Sequence, residues 1–457
     1  MTTPPTLREF RLEMLEEGIA HLIFDMPGRT MNVFSNAAIH ESEAFADWLP
    51  KSGLKGVVVS SGKATAFCAG ADLGELAEAY AMIVAAPEEQ RTAVGRDHFA
   101  PIGRAFRKME TAGVPIAMAI NGLALGGGCE LALAGHYRVL ADTPQTALGL
   151  PESLVGLLPG GGGTQRMPRL VGVEASLPIL LDGGRFTPAD AVEAGAAHRV
   201  VPAGEEIAAA LEWIKSNPDP RQPWDRPDWK IPTKAEVKAV LDPVRAARQK
   251  ETRGHYPAIT AILDCVEEGV TVPMDQGVKA EIDIFAELIK RPEPRDMIRT
   301  MFLGKQIFGK QKKANALPES LGALIADVSA ALAAVADAAG RDKADTARAE
   351  AGFEKPLPPS TGAAPDLDPK SLPDVDAIAA TGLWIEKPAN EWQRTAARLL
   401  GASAVAAAHY RSRLSGDEQK LADFAIVSEL GFPAYLGGPF ALLDSVGSDG
   451  IRKMMAA

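Results

Sequence analysis

Short apolar runs and helically spaced apolar positions alternate through the first part of the chain. Residues 18–24 form one such run, after a polar, hairpin-like lead. Val57, Val58 and Val59 centre a second at residues 56–60, and residues 116–120 and 137–141 supply a third and fourth. Between them, Ile39, Phe45, Trp48 and Leu49 recur at helical spacing within residues 37–49. Helices are also predicted for residues 102–109, and for 126–134 behind three glycines. Continuous apolar runs of this length suit strands covered on both faces, and strand–helix alternation predicts an α/β domain.

Past about Gly172 the strand pattern stops. Thr187-Pro188 reads as a cap followed by proline at the first helical position. A loop rich in proline and tryptophan covers residues 217–232, and long helices are predicted for 234–309, interrupted near Pro273 and at Arg291-Pro292-Glu293-Pro294. Residues 317–339 are an Ala/Leu/Val stretch that predicts one helix. Residues 355–375 carry Pro356, Pro358, Pro359, Pro365, Pro369 and Pro373 and predict an extended linker. A last helical unit covers residues 391–455, broken at Gly431-Phe432-Pro433. The domain reading is therefore 1–190 for the α/β core, 191–315 for a helical connector, 316–390 for helix and linker, and 391–457 for a terminal helical module.

Composition changes this picture modestly. The chain has 457 residues, 46% hydrophobic and 23% charged, which excludes global disorder and fibrous structure. Its 43 glycines and 34 prolines exceed the usual share and are unevenly placed, in glycine clusters early and in the linkers later. A net charge of −11 argues against nucleic acid as the main partner. The three cysteines, Cys68, Cys129 and Cys265, have neither metal-ligand spacing nor the number for a disulfide framework, which fits a reducing, cytoplasmic setting. The first residues lack a signal-peptide core. Residues 114–135 have the length of a membrane span, but Asn121, Glu130 and the glycines make a buried strand and helix the better reading, so no membrane span is expected.

Three clusters could carry chemistry. In Ala66-Phe67-Cys68-Ala69-Gly70-Ala71-Asp72-Leu73, small residues let a ligand approach backbone N–H groups. In Asn121-Gly122-Leu123-Ala124-Leu125-Gly126-Gly127-Gly128-Cys129-Glu130, glycines at a helix start leave N–H donors open where the helix dipole is positive. The third is Leu148-Gly149-Leu150-Pro151-Glu152, with Pro159-Gly160-Gly161-Gly162-Gly163-Thr164-Gln165-Arg166 following. An acid among apolar residues there would hold its proton more tightly, which suits acid/base work. Taken singly, each has a plainer reading: a packed turn, an acid complementing a helix dipole, a solvent-facing loop acid. Other chemistries find no support. The chain contains no GxGxxG, no phosphate-loop GxxxxGK[ST] and no HExxH; Ser153 lacks a G-x-S-x-G setting; and His98, His136, His198 and His255 are scattered.

Together and in this order, the clusters resemble the crotonase (enoyl-CoA hydratase/isomerase) family over residues 67–166. The resemblance implies a spiral of ββα turns for the N-terminal core, followed by an all-α connector and a C-terminal helical domain. It implies an oxyanion hole made by the N–H groups of Ala71 and Gly127, facing the thioester oxygen of an acyl-CoA. Ala69, Gly70, Asp72, Leu73 and Gly74 would lie along the substrate, and Arg29 would meet a CoA phosphate. Glu130 and Glu152 match the two carboxylates of a hydratase. They stand 22 residues apart, slightly more than the family leads one to expect, with the extra length in Ala141-Asp142-Thr143-Pro144-Gln145. The implied activity is hydration of the 2,3 double bond of an enoyl-CoA in fatty-acid β-oxidation, with double-bond isomerisation beside it. No metal and no cofactor are expected, CoA being part of the substrate. The acyl pocket is expected from residues 75–93 and helices after Thr187.

Later segments, Gly254-His255-Tyr256-Pro257-Ala258 and the region from Glu429 to Phe440, resemble the multifunctional fatty-acid oxidation α chain. In that family a nucleotide-binding dehydrogenase domain would stand between Lys313 and Glu391, where this chain has an Ala-rich stretch and a Pro-rich linker. Neither NAD binding nor dehydrogenase activity is therefore expected. A thiolase or other β-oxidation subunit is the protein partner implied. Two other readings stay open: a different acyl-CoA reaction on the same core, and a non-catalytic assembly subunit.

Overall fold

The computed structural model describes residues 2–16, 18–360, 366–378 and 382–457. Pro365 of the linker prolines lies outside the described residues. The chain forms two compact units, Met1–Ala247 with Ala258–Lys290, and Arg248–Pro257 with Arg291–Ala457.

The first unit runs β1 (Phe10–Glu16), β2 (Ile19–Phe24), α1 (Asn36–Trp48), β3 (Gly56–Ser61), β4 (Ala66–Cys68), α2 (Leu73–Ala85), α3 (Arg91–Glu110), β5 (Ile116–Ile120), β6 (Leu123–Leu125), α4 (Gly127–Ala134), β7 (Tyr137–Ala141) and β8 (Ala147–Gly149). It continues with a 3-10 turn (Glu152–Val155), α5 (Gly163–Val171), α6 (Val173–Leu181), β9 (Arg185–Phe186), α7 (Pro188–Glu193), β10 (Arg199–Val201), α8 (Glu206–Lys215), α9 (Lys234–Thr252), α10 (Pro257–Gly269) and α11 (Met274–Ile289). One sheet has the order β1-β2-β3-β5-β7-β10, parallel except for the β1–β2 hairpin; the other has the order β4-β6-β8-β9, antiparallel only at β8–β9. The pairs β3–β4, β5–β6 and β7–β8 each send their first strand to the large sheet and their second to the small one. Repeating this step with intervening helices generates a ββα spiral.

The apolar runs explain the large sheet. Val57, Val58, Val59 and Ile116–Ile120 are buried because helices cover them; α8 packs on β3, β5 and β7. Three expectations need correction. Strands do not stop at Gly172: β9 and β10 are two and three residues long, too short for a periodic signal, yet β10 closes the sheet beside β7. Helix α3 begins at Arg91 rather than 102, because Pro101 is accommodated inside it. The compact unit continues past residue 190, since α8 covers the sheet and α11 packs against α3 and α5.

Among the described residues of the second unit, every regular element is helical, and non-helical segments join them. It comprises α12 (Pro292–Met297), a π-helical turn (Ile298–Gly304), α13 (Lys305–Lys313), α14 (Leu321–Ala339), α15 (Arg341–Glu350), α16 (Glu391–Ala408), α17 (Gly416–Leu430) and α18 (Pro439–Ala456). By length and hydropathy alone α14 could cross a membrane. Here Leu324, Val328 and Leu332 are buried in the core it forms with α16. Residue 390 is thus no boundary in packing terms: α14 and α15 both pack on α16. His255 stacks on Tyr435 at 4.7 Å, so the Gly254–Ala258 motif contributes an aromatic packing group.

Candidate active site

The site forms where the two sheets meet the start of α4. Gly126 takes φ +52°, a conformation that favours glycine, and donates its N–H to the Gly149 carbonyl at 3.0 Å. The chain then enters α4 with Gly127 as its first residue, whose N–H lies in the first turn, where no carbonyl of the helix can accept it. Ala71 meets Phe34 in an isolated parallel bridge. Phe34 donates to the Gly70 carbonyl at 2.8 Å and accepts from Asp72 at 3.0 Å, so the bridge uses the residues on either side of Ala71. In a parallel ladder that pattern turns the Ala71 N–H away from Phe34. Gly70 backs onto α4: a Cβ placed on it would stand 3.8 Å from the Gly127 nitrogen.

Ala71, Gly127, Glu130 and Glu152 line one cavity of about 100 Å³. Its apolar wall includes Phe34, Leu76, Phe99, Ile102, Leu158 and Phe285. Glu130 is 3% exposed, and its Oε1 accepts the N–H groups of Gly161 and Gly163, each at 2.7 Å. Burial raises its proton affinity above the ordinary carboxyl value, while the two N–H groups and the Arg166 charge oppose the rise. Glu152 is half-buried, but its Oε2 is enclosed and has no hydrogen-bond partner. Burial first, then the charges of Glu130 and Glu281, pushes its carboxyl well above the usual range. The environments therefore drive the two acids apart: Glu130 is the easier to ionise, Glu152 the one that keeps its proton.

The other residues expected along the substrate divide. Asp72 lines the cavity and caps α2, its Oδ1 accepting from Gly74 at 3.0 Å and Glu75 at 3.3 Å. Arg29 pairs with Asp72 Oδ2 at 2.8 Å and is largely exposed, so the side chain expected to meet a phosphate is here held by a carboxylate. Ala69, Gly70, Leu73 and Gly74 flank Ala71 and Asp72 in the chain but are not part of the cavity lining. The extra residues before Glu152 form a turn closed by Thr143 and Thr146, whose hydroxyls are 2.9 Å apart, and β8 still pairs with β6. The apolar wall combines α2 and α3 with α11, a helix after Thr187, as the sequence leads one to expect of the pocket. His98 also lines the cavity and meets Phe99 edge-on at 4.7 Å; burial lowers its basicity. Among the described residues no group of three or more His, Cys, Asp or Glu side chains could hold a metal ion.

Sequence reading missed Glu281 and Phe285, both on α11. A signal existed for the first. Glu281 falls within the buried stripe Val278, Ile282, Phe285, Ile289, where helical spacing calls for an apolar residue.

Residues 14–219 match the enoyl-CoA hydratase/isomerase family, so the chain carries a domain of this crotonase family. Its relatives include the fatty acid oxidation complex subunit alpha of Shewanella frigidimarina (strain NCIMB 400), 36% identical over 311 residues that make up 67% of this chain and 42% of the relative. The protein of the same name from Shewanella loihica (strain ATCC BAA-1088 / PV-4) is 36% identical over 319 residues, with the same coverage of 67% and 42%. The chain thus spans less than half the length of these curated relatives. The crystal structure of an enoyl-CoA hydratase from Rhodobacter sphaeroides 2.4.1 shares the fold, with a TM-score of 0.51 at 21% identity, covering 65% of this chain and 90% of that one.

Proposed function

We propose that the first unit hydrates the 2,3 double bond of enoyl-CoA thioesters. The observation that carries this reading is the meeting of Glu130 and Glu152 in one cavity with Ala71 and Gly127. Conjugation to the thioester makes the β-carbon electrophilic. Water attacks there, Glu130 takes its proton, and charge develops on the thioester oxygen. Donors fixed at Ala71 and Gly127, with the α4 dipole behind them, stabilise that charge; one such donor contributes about 3 kcal/mol in other enzymes. Glu152, held protonated, delivers a proton to the α-carbon. Proton exchange with solvent then restores both carboxyls. These groups supply what the addition needs, with CoA entering as part of the substrate and no separate cofactor.

The enclosed, unpartnered Oε2 of Glu152 favours isomerisation as a second reaction. In its ionised fraction, Glu152 would move one proton between carbons of a β,γ-unsaturated thioester without help from Glu130. The relatives' name extends the reading to fatty acid oxidation and to a further subunit of a complex; dehydrogenase chemistry is not part of it.

The test follows the enone absorbance of crotonyl-CoA and longer enoyl-CoAs. Hydration should fall by about 10²–10⁴-fold in Glu130→Gln and in Glu152→Gln. With a 3-enoyl-CoA, Glu130→Gln should keep isomerisation and Glu152→Gln should lose it. Unchanged hydration in both variants would overturn the mechanism, and no turnover by the unaltered protein would favour an assembly role.

A further inference from the structure

Glu281 is fully enclosed on α11, more than a hundred residues downstream of both candidate acids. Its Oε1 accepts the Gly162 N–H at 2.6 Å, and its Oε2 accepts the Thr164 N–H at 3.1 Å and the Thr164 hydroxyl. Glu130 takes the N–H groups of Gly161 and Gly163. Four successive N–H groups of one glycine turn thus alternate between two carboxylates. Packing alone does not call for an acid here, because an enclosed carboxyl is costly where an apolar side chain would fill the space.

We propose that Glu281 is a positioning residue for the reaction at Glu130 and Glu152, fixing the 161–164 turn from the far side so that the turn presents its other two N–H groups to Glu130. The proposal rests on the hydratase/isomerase reading above. It has an electrostatic consequence. The charged and titratable groups facing Glu281 are Glu130 on α4, Glu152 on the 3-10 turn, Arg166 and Arg169 on α5, and Cys265 on α10. Burial and the Glu130 charge push Glu281 up to about 8, with Thr164, Gly162 and Arg166 opposing. Below that pH Glu281 is largely neutral, and Glu130 titrates without feeling it. Above it, the Glu281 charge helps Glu152 keep its proton.

The experiment compares pH profiles of enoyl-CoA hydration for the unaltered protein, Glu281→Gln and Glu281→Asp, with circular dichroism as the check on folding. Glu281→Gln removes one acceptor and the charge. Its kcat should fall about 10- to 100-fold with KM little changed, as expected for a displaced catalytic group. The alkaline limb should move to lower pH while the acid limb stays. Glu281→Asp keeps the charge but shortens the reach, so kcat should fall and the alkaline limb should stay. A folded Glu281→Gln with unaltered kcat and limbs would overturn the proposal while leaving the hydratase reading intact. No hydration or isomerisation by the unaltered protein would overturn both. Should Glu281→Gln not fold, carbon-13 titration of the unaltered protein decides: Glu152 should show a second inflection at the midpoint of Glu281, and a single inflection would overturn the coupling.

Discussion

Arg166 and Glu110 form a two-pronged ion pair with both side chains fully enclosed: Nε to Oε1 at 2.7 Å and Nη2 to Oε2 at 3.0 Å. The remaining nitrogen, Nη1, donates to the Gly161 carbonyl at 2.8 Å. The pair therefore ties α3 and α5 to the turn that holds Glu130. Enclosing two charges is costly, and the cost is offset only while each has its partner. Arg166→Met and Glu110→Gln should each destabilise the unit by about 3–5 kcal/mol, whereas replacing both with apolar residues should cost much less than the sum. Denaturant unfolding of the two singles and the double checks this. Arg166 also opposes the rise in Glu130 proton affinity, so a folded Arg166 variant should show its acid limb displaced to higher pH.

Phe285 closes the cavity from α11, with its ring 4.9 Å from that of Phe99. Removing it opens space along the apolar wall. Phe285→Ala should raise kcat/KM for long enoyl-CoAs relative to crotonyl-CoA by at least about tenfold, since each methylene accommodated contributes about 1–3 kcal/mol. The same change should destabilise the fold by about 3–5 kcal/mol. A chain-length series on the variant decides, and an unaltered length preference would remove Phe285 from the acyl wall.

Much of this site was legible because local pattern and local chemistry agree within residues 56–166. The valine run of β3, the glycine start of α4 and the acid in its first turn each carry a signal within a few residues. What stayed hidden depends on distance or on brevity. Glu281 and Phe285 reach the site only through the packing of α11 on α3 and α5, which no local window contains. Strands β9 and β10 are fixed by their partners β8 and β7 rather than by their own composition. Arg29, expected at a phosphate, has its carboxylate partner Asp72 43 residues away in sequence, outside any local window.

Gly128 shows how closely α4 must approach β4. A Cβ on it would overlap the Cys68 carbonyl oxygen, which is backbone and cannot swing aside. Gly128→Ala should therefore move α4 away from the Ala71 segment and destabilise the unit by about 1–3 kcal/mol. Because Ala71 and Gly127 face one cavity from these two elements, hydration should fall more steeply than stability. Measuring both on the same preparation separates the effects: a stability loss with kcat intact would show that α4 regains its position in the folded state.

The buried acids also make stability depend on pH, with a sign that can be worked out. Glu281 is raised to about 8, and Glu130 and Glu152 are raised by burial, so between the ordinary carboxyl value near 4.5 and the raised one the folded state binds more protons than the unfolded chain. Stability from these groups is therefore present at low pH and lost as pH rises through that window, by up to about 1.4 kcal/mol per pH unit for each group. His21, His98, His136 and His198 act oppositely. Burial lowers them, His198 to about 3, so their contribution is lost as pH falls below about 6.5. By about one pH unit above 6.5 the histidines are neutral in both states and drop out. Between about pH 7.5 and 8.5 the first unit should lose stability as pH rises, and Glu281→Gln should show a shallower loss. Hydrogen exchange of the amides of α11 and residues 161–166, corrected for intrinsic rates, reads this unit separately from the helical one; protection that is flat or rises with pH would refute the raised carboxyls.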